Sequence, residues 1–277
     1  MRLERGILAL ACVLACSQVP AQTPSAAVEA RPGDAAFLRA MQAKSKRQGP
    51  EAMREFTAAA QAGHPEAQYV LGLQFLRGDG VKADPKQALG WFNRALERDH
   101  PLAATQVGEM YEHGNGVPRD PARAAGLYER AALAGFAPAQ TRLGSLYEAG
   151  NGVERSAHVA LDWYSLAAAQ DHWDAQHRLG KLLRDGGAGE TEYGEAARLF
   201  AASAKGGNSF AKISLGELYE TGRGVPKNLS RARELYTQAA REGEPAARQR
   251  LAHLGQAPAA DRARRPRLIA VVDRKKR

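Results

Sequence analysis

Disulfides cannot hold the body of this chain together, because its two cysteines, Cys12 and Cys16, both fall within the first 16 of 277 residues. β-Branched residues are also scarce, at 3 Ile, 12 Val and 7 Thr. Sandwiches, barrels and parallel-sheet enzymes need many more of them to fill pleated surfaces. Basic charge is scarce too, once it is located. The formal charge is +9, but residues 258–277 hold eight basic side chains against Asp261 and Asp273, so the rest is nearly neutral. That distribution excludes nucleic-acid binding by the body. What is abundant is Ala, at 55 residues, with Leu and Gly at 28 each. Ala and Leu lose little side-chain entropy in helices, so the chain reads as all-α.

The N-terminus has a charged start, Met1-Arg2-Leu3-Glu4-Arg5, then an apolar run from Gly6 to Cys16, then Val19-Pro20-Ala21. This is the pattern of a secretory signal, and the run is too short to span a bilayer as a helix. Cleavage after Ala21 would release a soluble chain. Cleavage before Cys16, in Val13-Leu14-Ala15-Cys16, would leave a lipid-modified cysteine. Both routes stay open.

Residues then recur every 36 positions. Gly72, Gly108, Gly144, Gly180 and Gly216 keep this step, as do Ala67, Ala103, Ala139, Ala175, Ala211 and Ala247. Phe56, Phe92, Tyr128, Tyr164, Phe200 and Tyr236 form an aromatic column. Within a unit, Ala67, Leu71, Phe75 and Gly78 have helical spacing. Gly78 suits a left-handed C-terminal cap, and Asp84-Pro85 supplies an N-cap and a first-turn proline for a second helix. Asp120, Ser156 and Asn228 repeat the cap. A hairpin of this kind cannot bury its apolar face alone, so neighbours stack, giving a right-handed α/α solenoid of 36-residue helix–loop–helix repeats. The glycine column lets the second helix approach closely, so Gly144→Leu should overpack the crossing.

The pattern A-x-x-x-L-G-x-x-Y-x-x-G-x-G-V, followed by D, A, an aromatic and A-A, is nearly intact at 103–135 and 139–171, clear at 67–99 and 211–243, and weaker at 175–207. It resembles the Sel-1-like repeat, a relative of the tetratricopeptide repeat. The resemblance implies an adaptor or scaffold that binds protein partners, in bacteria often exported. One secreted branch of that family is cysteine-rich and linked with penicillin binding and β-lactam hydrolysis; these repeats have no Cys. The domain reading is residues 1–21 a signal peptide, 22–34 a flexible spacer, and 35–63 a capping helix with a half repeat. Residues 64–255 are five repeats with a C-terminal capping helix, and 256–277 a basic, disordered tail. Asp34 is expected to cap a helix reaching about Arg47, with Phe37, Leu38 and Met41 apolar. The fourth loop, Arg184-Asp185-Gly186-Gly187-Ala188-Gly189, lacks the valine of the others and reads as a loosened turn.

Chemistry is hard to find. No H-E-x-x-H, Cys–His cluster, G-x-S-x-G or S-x-x-K motif occurs, so no metal, cofactor or catalytic residue is assigned. His64, His100 and His172 share a column at the turn between units and read as solvated or capping residues. The remaining candidate is surface. First helices should line a concave face, with Tyr69, Thr105, Thr141, His177 and Ile213 in one exposed column. Leu73, Glu109, Ser145, Lys181 and Glu217 form a second, and Leu76, Glu112, Glu148, Arg184 and Glu220 a third. Ten of these, Tyr69, Leu73, Leu76, Thr105, Glu109, Thr141, Ser145, His177, Lys181 and Arg184, are the candidate partner contacts. Tyr69, Leu73 and Leu76 would form an apolar stripe, either a binding patch or a seat for the 35–47 helix. Membrane association would run through lipidated Cys16 or the basic tail. The expected function is an exported scaffold in the periplasm, or on the outer membrane if lipidated. The alternative is a cell-wall or glycan-interacting factor, extending to a β-lactamase-like hydrolase.

Overall fold

A computed structural model describes residues 31–186 and 189–256, all helix and connecting turns, with no strand among them. The signal, lipidation, spacer and tail assignments at 1–30 and 257–277 lie outside the described residues, as do Gly187 and Ala188 of the fourth loop. The chain divides into two compact units between His172 and Trp173.

The first unit holds eight helices: α1 (Asp34–Ser45), α2 (Gly49–Gln61), α3 (Pro65–Arg77), α4 (Pro85–Leu96), α5 (Pro101–His113), α6 (Pro121–Leu133), α7 (Ala137–Ala149) and α8 (Ala157–Ala168). The second holds five: α9 (Trp173–Asp185), α10 (Glu190–Lys205), α11 (Ser209–Thr221), α12 (Leu229–Arg241) and α13 (Pro245–Gln256). Within each unit, a first helix packs on its own second helix, and that second helix packs on the next first helix. This is the expected all-α solenoid repeat of 36 residues.

Local chemistry sets the ends of these helices. First helices stop at Gly78, Gly114, Gly150 and Gly222, with φ between 71° and 80°. A side chain there would meet a left-handed backbone that only glycine adopts freely. Second helices start at Asp84, Asp120, Ser156 and Asn228, whose side chains accept backbone N–H bonds from the first turn. First helices start at His64 and His100, whose Nδ1 atoms accept from the N–H groups of Ala67 and Ala103, both at 3.2 Å. The histidine column is therefore a capping column.

The core sits on the glycine–aromatic crossing. Phe92, Tyr128, Tyr164, Phe200 and Tyr236 are fully buried. A Cβ added at Gly72, Gly108, Gly144, Gly180 or Gly216 would lie 2.5–2.7 Å from a ring carbon of those residues in turn. No methyl fits at such distances, so each glycine is what lets the second helix cross so close. Alanines such as Ala88, Ala95, Ala124 and Ala160 fill the remaining space with side chains that cost no rotamer entropy.

The N-terminal helix departs from expectation. Gly33, at φ 88°, is the N-cap of α1, and Asp34 lies inside the helix. The Asp34 carboxylate instead accepts the Arg31 N–H at 2.8 Å and pairs with His64 at 3.3 Å. The buried face of α1 is Ala36, Ala40 and Ala43, with Phe37 packed beside them. Leu38 and Met41 are 69% and 46% exposed, so the apolar triplet read from the sequence is split between two faces.

Candidate functional site

The three columns expected to face a partner behave differently from one another. The column of Tyr69 is largely interior. Thr105 and Thr141 are buried, and their hydroxyls donate to the carbonyls of Pro101 and Ala137, one helical turn back, at 2.9 Å each. Ile213 is buried in a core with Ala232, Tyr236 and Ala239 of its own repeat and Ala247 of α13. Tyr69 is half-buried, stacked on the His100 ring at 5.1 Å and set 5.8 Å from Phe92. Burial, followed by the nearby Glu66 carboxylate, pushes its phenol pKa up. His177 lies 5.7 Å from Phe200, with Nε2 3.3 Å from the Ser214 hydroxyl. Burial, with Lys181 repulsion second, pulls its pKa down to about 4. Thr105 and Thr141 therefore cannot serve as partner contacts without unpacking.

The apolar stripe of Tyr69, Leu73 and Leu76 is half-buried. Tyr69, Leu73 and Leu76 pack against Phe92, Val107 and Met110 of the first and second repeats. Val70 and Phe75 pack instead against the core that α1, α2 and α3 share.

The second column is a ladder of charge at the surface. Glu109 pairs with Arg142 of the following repeat at 2.7 Å and accepts from Gln106 at 2.9 Å. In the second unit, Glu217 takes Arg184 at 3.2 Å on one side and Arg250 on the other. Arg184 also pairs with Asp185 and lies 5.9 Å over the Phe200 ring. Ser145 and Lys181 are half-buried beside these groups. Such part-exposed pairs add little stability, but they fix a pattern of sign that a partner can read.

The third column carries a pairing that the sequence reading missed. Tyr128, Tyr164 and Tyr236 donate their hydroxyls to Glu112, Glu148 and Glu220 at 2.7, 2.7 and 2.8 Å. Burial, then this bond to a carboxylate, raises the phenol pKa of Tyr128 and Tyr236 far above the ordinary tyrosine value. In the two repeats whose aromatic is Phe92 or Phe200, the third column holds Leu76 or Arg184. Tyrosine goes with glutamate and phenylalanine without it, a covariation between repeats that was legible in the sequence. These glutamates are thus half-spent on the core.

Among the described residues, no three or more His, Cys, Asp or Glu gather as a metal site, and no helix is long and apolar enough to cross a membrane.

Comparison with known proteins follows this geometry. The Sel1 repeat family model matches residues 65–100, 101–136, 137–172, 173–208 and 209–244. Among solved structures, the chain is similar to a protective antigen present in uropathogenic Escherichia coli strains that displays an SLR fold. The two share 32% identity and a TM-score of 0.72, over 84% of this chain and 51% of that one. This chain therefore spans about half the length of that protein. It is also similar to a Sel1 repeat protein from Oxalobacter formigenes, at 26% identity and a TM-score of 0.72, over 80% of this chain and 89% of that one. An immunity protein from Pseudomonas aeruginosa shares the fold at 21% identity and a TM-score of 0.51, over 81% and 85% of the two chains. No curated protein matches.

Proposed function

The chain belongs to the Sel1 repeat family, whose members generally mediate protein–protein interaction and are typically non-enzymatic; from that premise we propose that it is an exported scaffold or adaptor of the bacterial cell envelope. The observation that carries this reading is the ladder of paired charges along the first helices, Glu109–Arg142 in one unit and Arg184–Glu217–Arg250 in the other. Opposite charges paired between residues 33 apart on successive first helices give a partner a fixed register and exclude partners of the wrong pattern, with no bond made or broken. Export rests on the charged start, the apolar run Gly6–Cys16 and the Val19-Pro20-Ala21 site. The partner is a protein, the body takes no nucleic acid, and membrane contact runs through Cys16 or the basic tail.

The test is affinity capture from crosslinked envelopes with the full chain and with a Glu109→Arg/Glu217→Arg variant. The proposal expects one or a few envelope proteins retained by the wild type and lost by the variant. Turnover of nitrocefin or peptidoglycan by the purified chain would overturn it. Palmitate incorporation that disappears in Cys16→Ser selects the lipid-anchored form; no incorporation selects the soluble one.

A further inference from the structure

The first unit contains a pocket of about 810 Å³ between α2 and α3, near the turn that ends α1. It exists because one seam is left open. In later repeats the loop glycine lies against the start of the preceding second helix: a Cβ on Gly116 or Gly152 would meet Pro85 at 2.6 Å or Pro121 at 2.3 Å. The equivalent Gly80 meets only the Met53 methyl, at 3.7 Å.

Two features of this pocket point to a ligand, and a third belongs to its wall. Its floor is apolar, formed by Met53, Phe56 and Leu73. Four exposed cations, Lys44, Arg47, Arg54 and Arg77, stand around it with Asp79 as the sole acid, and among the described residues none of the four has an ion-pair partner. At its wall lies Gln74, whose Oε1 is buried and accepts no hydrogen bond. The same column in the other repeats is Met110, Leu146, Leu182 and Leu218. A glutamine in a column of buried hydrophobes leaves an acceptor that nothing in its own surroundings satisfies.

We propose that this pocket binds an acidic segment of a protein partner, seating one apolar side chain on Met53 and Leu73. Carboxylates flanking that side chain meet the four cations. The assignment rests on the protein-binding reading above and names the chemistry of the partner. Charge complementarity excludes the chain's own ends: residues 257–277 are strongly basic, and residues 1–30 contain only Glu4 and Glu29 as acids.

The experiment titrates the full chain with a labelled peptide carrying one leucine flanked on both sides by glutamates. Controls are the same peptide with serine for leucine, the lysine-flanked counterpart, and phosphatidylglycerol vesicles. Saturable binding of the glutamate peptide alone is expected, weakening as salt rises. Met53→Glu and Arg54→Glu/Arg77→Glu should each weaken it by about tenfold or more. Urea midpoints of both variants, read beside the titration, separate lost binding from lost fold. Peptide affinity unchanged in folded variants, or vesicle binding in place of peptide binding, overturns the proposal. An envelope partner still captured by Arg54→Glu/Arg77→Glu overturns the pocket and leaves the scaffold reading standing. Peptide binding as expected, with no partner captured, does the reverse.

Discussion

Replacing glycine by alanine inside a helix ordinarily stabilises it by about 1 kcal/mol, and the glycine–aromatic crossing should reverse that sign. At Gly144 the new methyl would lie 2.7 and 2.8 Å from Cε1 and Cδ1 of Tyr164. That ring cannot retreat, being fully buried with its hydroxyl held 2.7 Å from Glu148. Overpacking of this kind costs roughly 1–3 kcal/mol. Against the helix gain, Gly144→Ala should come out about 0–2 kcal/mol less stable. Gly126 supplies the control, since it is exposed in the middle of α6 and an added Cβ meets nothing within 4 Å. Gly126→Ala should gain about 0.5–1 kcal/mol. Urea unfolding followed by circular dichroism reads both. In a thermal scan, each kcal/mol corresponds to about 2–4 °C for a chain of this size. Adding Tyr164→Leu to Gly144→Ala should cost less than the sum of the two single changes, because the clash is removed with the ring. Equal stabilisation by Gly144→Ala and Gly126→Ala would refute the reasoning.

Three further outcomes follow from the same structure. Tyr128→Phe should destabilise by about 1 kcal/mol by stranding Glu112, whereas Tyr128→Phe with Glu112→Leu, which copies the Phe92 and Leu76 pair, should recover most of it; a double-mutant cycle in urea measures the coupling. His177 is held neutral by burial, with its pKa near 4 against 6.5 when unfolded, so the unfolded chain binds the extra proton between those values. Stability should therefore fall as pH drops from 6.5 toward 4, and His177→Ile, copying Ile213, should flatten that slope in midpoints measured at several pH values. Gln74→Leu should stabilise by about 1–3 kcal/mol by removing the unsatisfied buried amide oxygen, a rise visible in the same denaturation assay.

Most of the fold was legible because its determinants are local or periodic. The glycine, alanine and aromatic columns, the Gly78-type stops and the Asp84-type starts each state their role in residue type and spacing. The surface was less legible because exposure depends on side-chain reach. Glu112 stands in a column that points outward by helical phase, yet its length lets the carboxylate return to Tyr128. Thr105 fell in a column expected to be open, but it is buried with its hydroxyl donating to the Pro101 carbonyl. In α1 the eye goes to Phe37, Leu38 and Met41, while the small residues Ala36, Ala40 and Ala43 make the closer contact. The open seam beside α2 was invisible for another reason: it comes from a contact that Gly80 fails to make.

Hydrogen–deuterium exchange on the chain alone and with its captured partner tests most directly the claim that this protein works by binding along its first helices. New protection should fall on α3, α5, α7, α9 and α11, with the second helices α4, α6, α8, α10 and α12 unchanged. Protection confined to the second helices, or none at saturating partner, would contradict it.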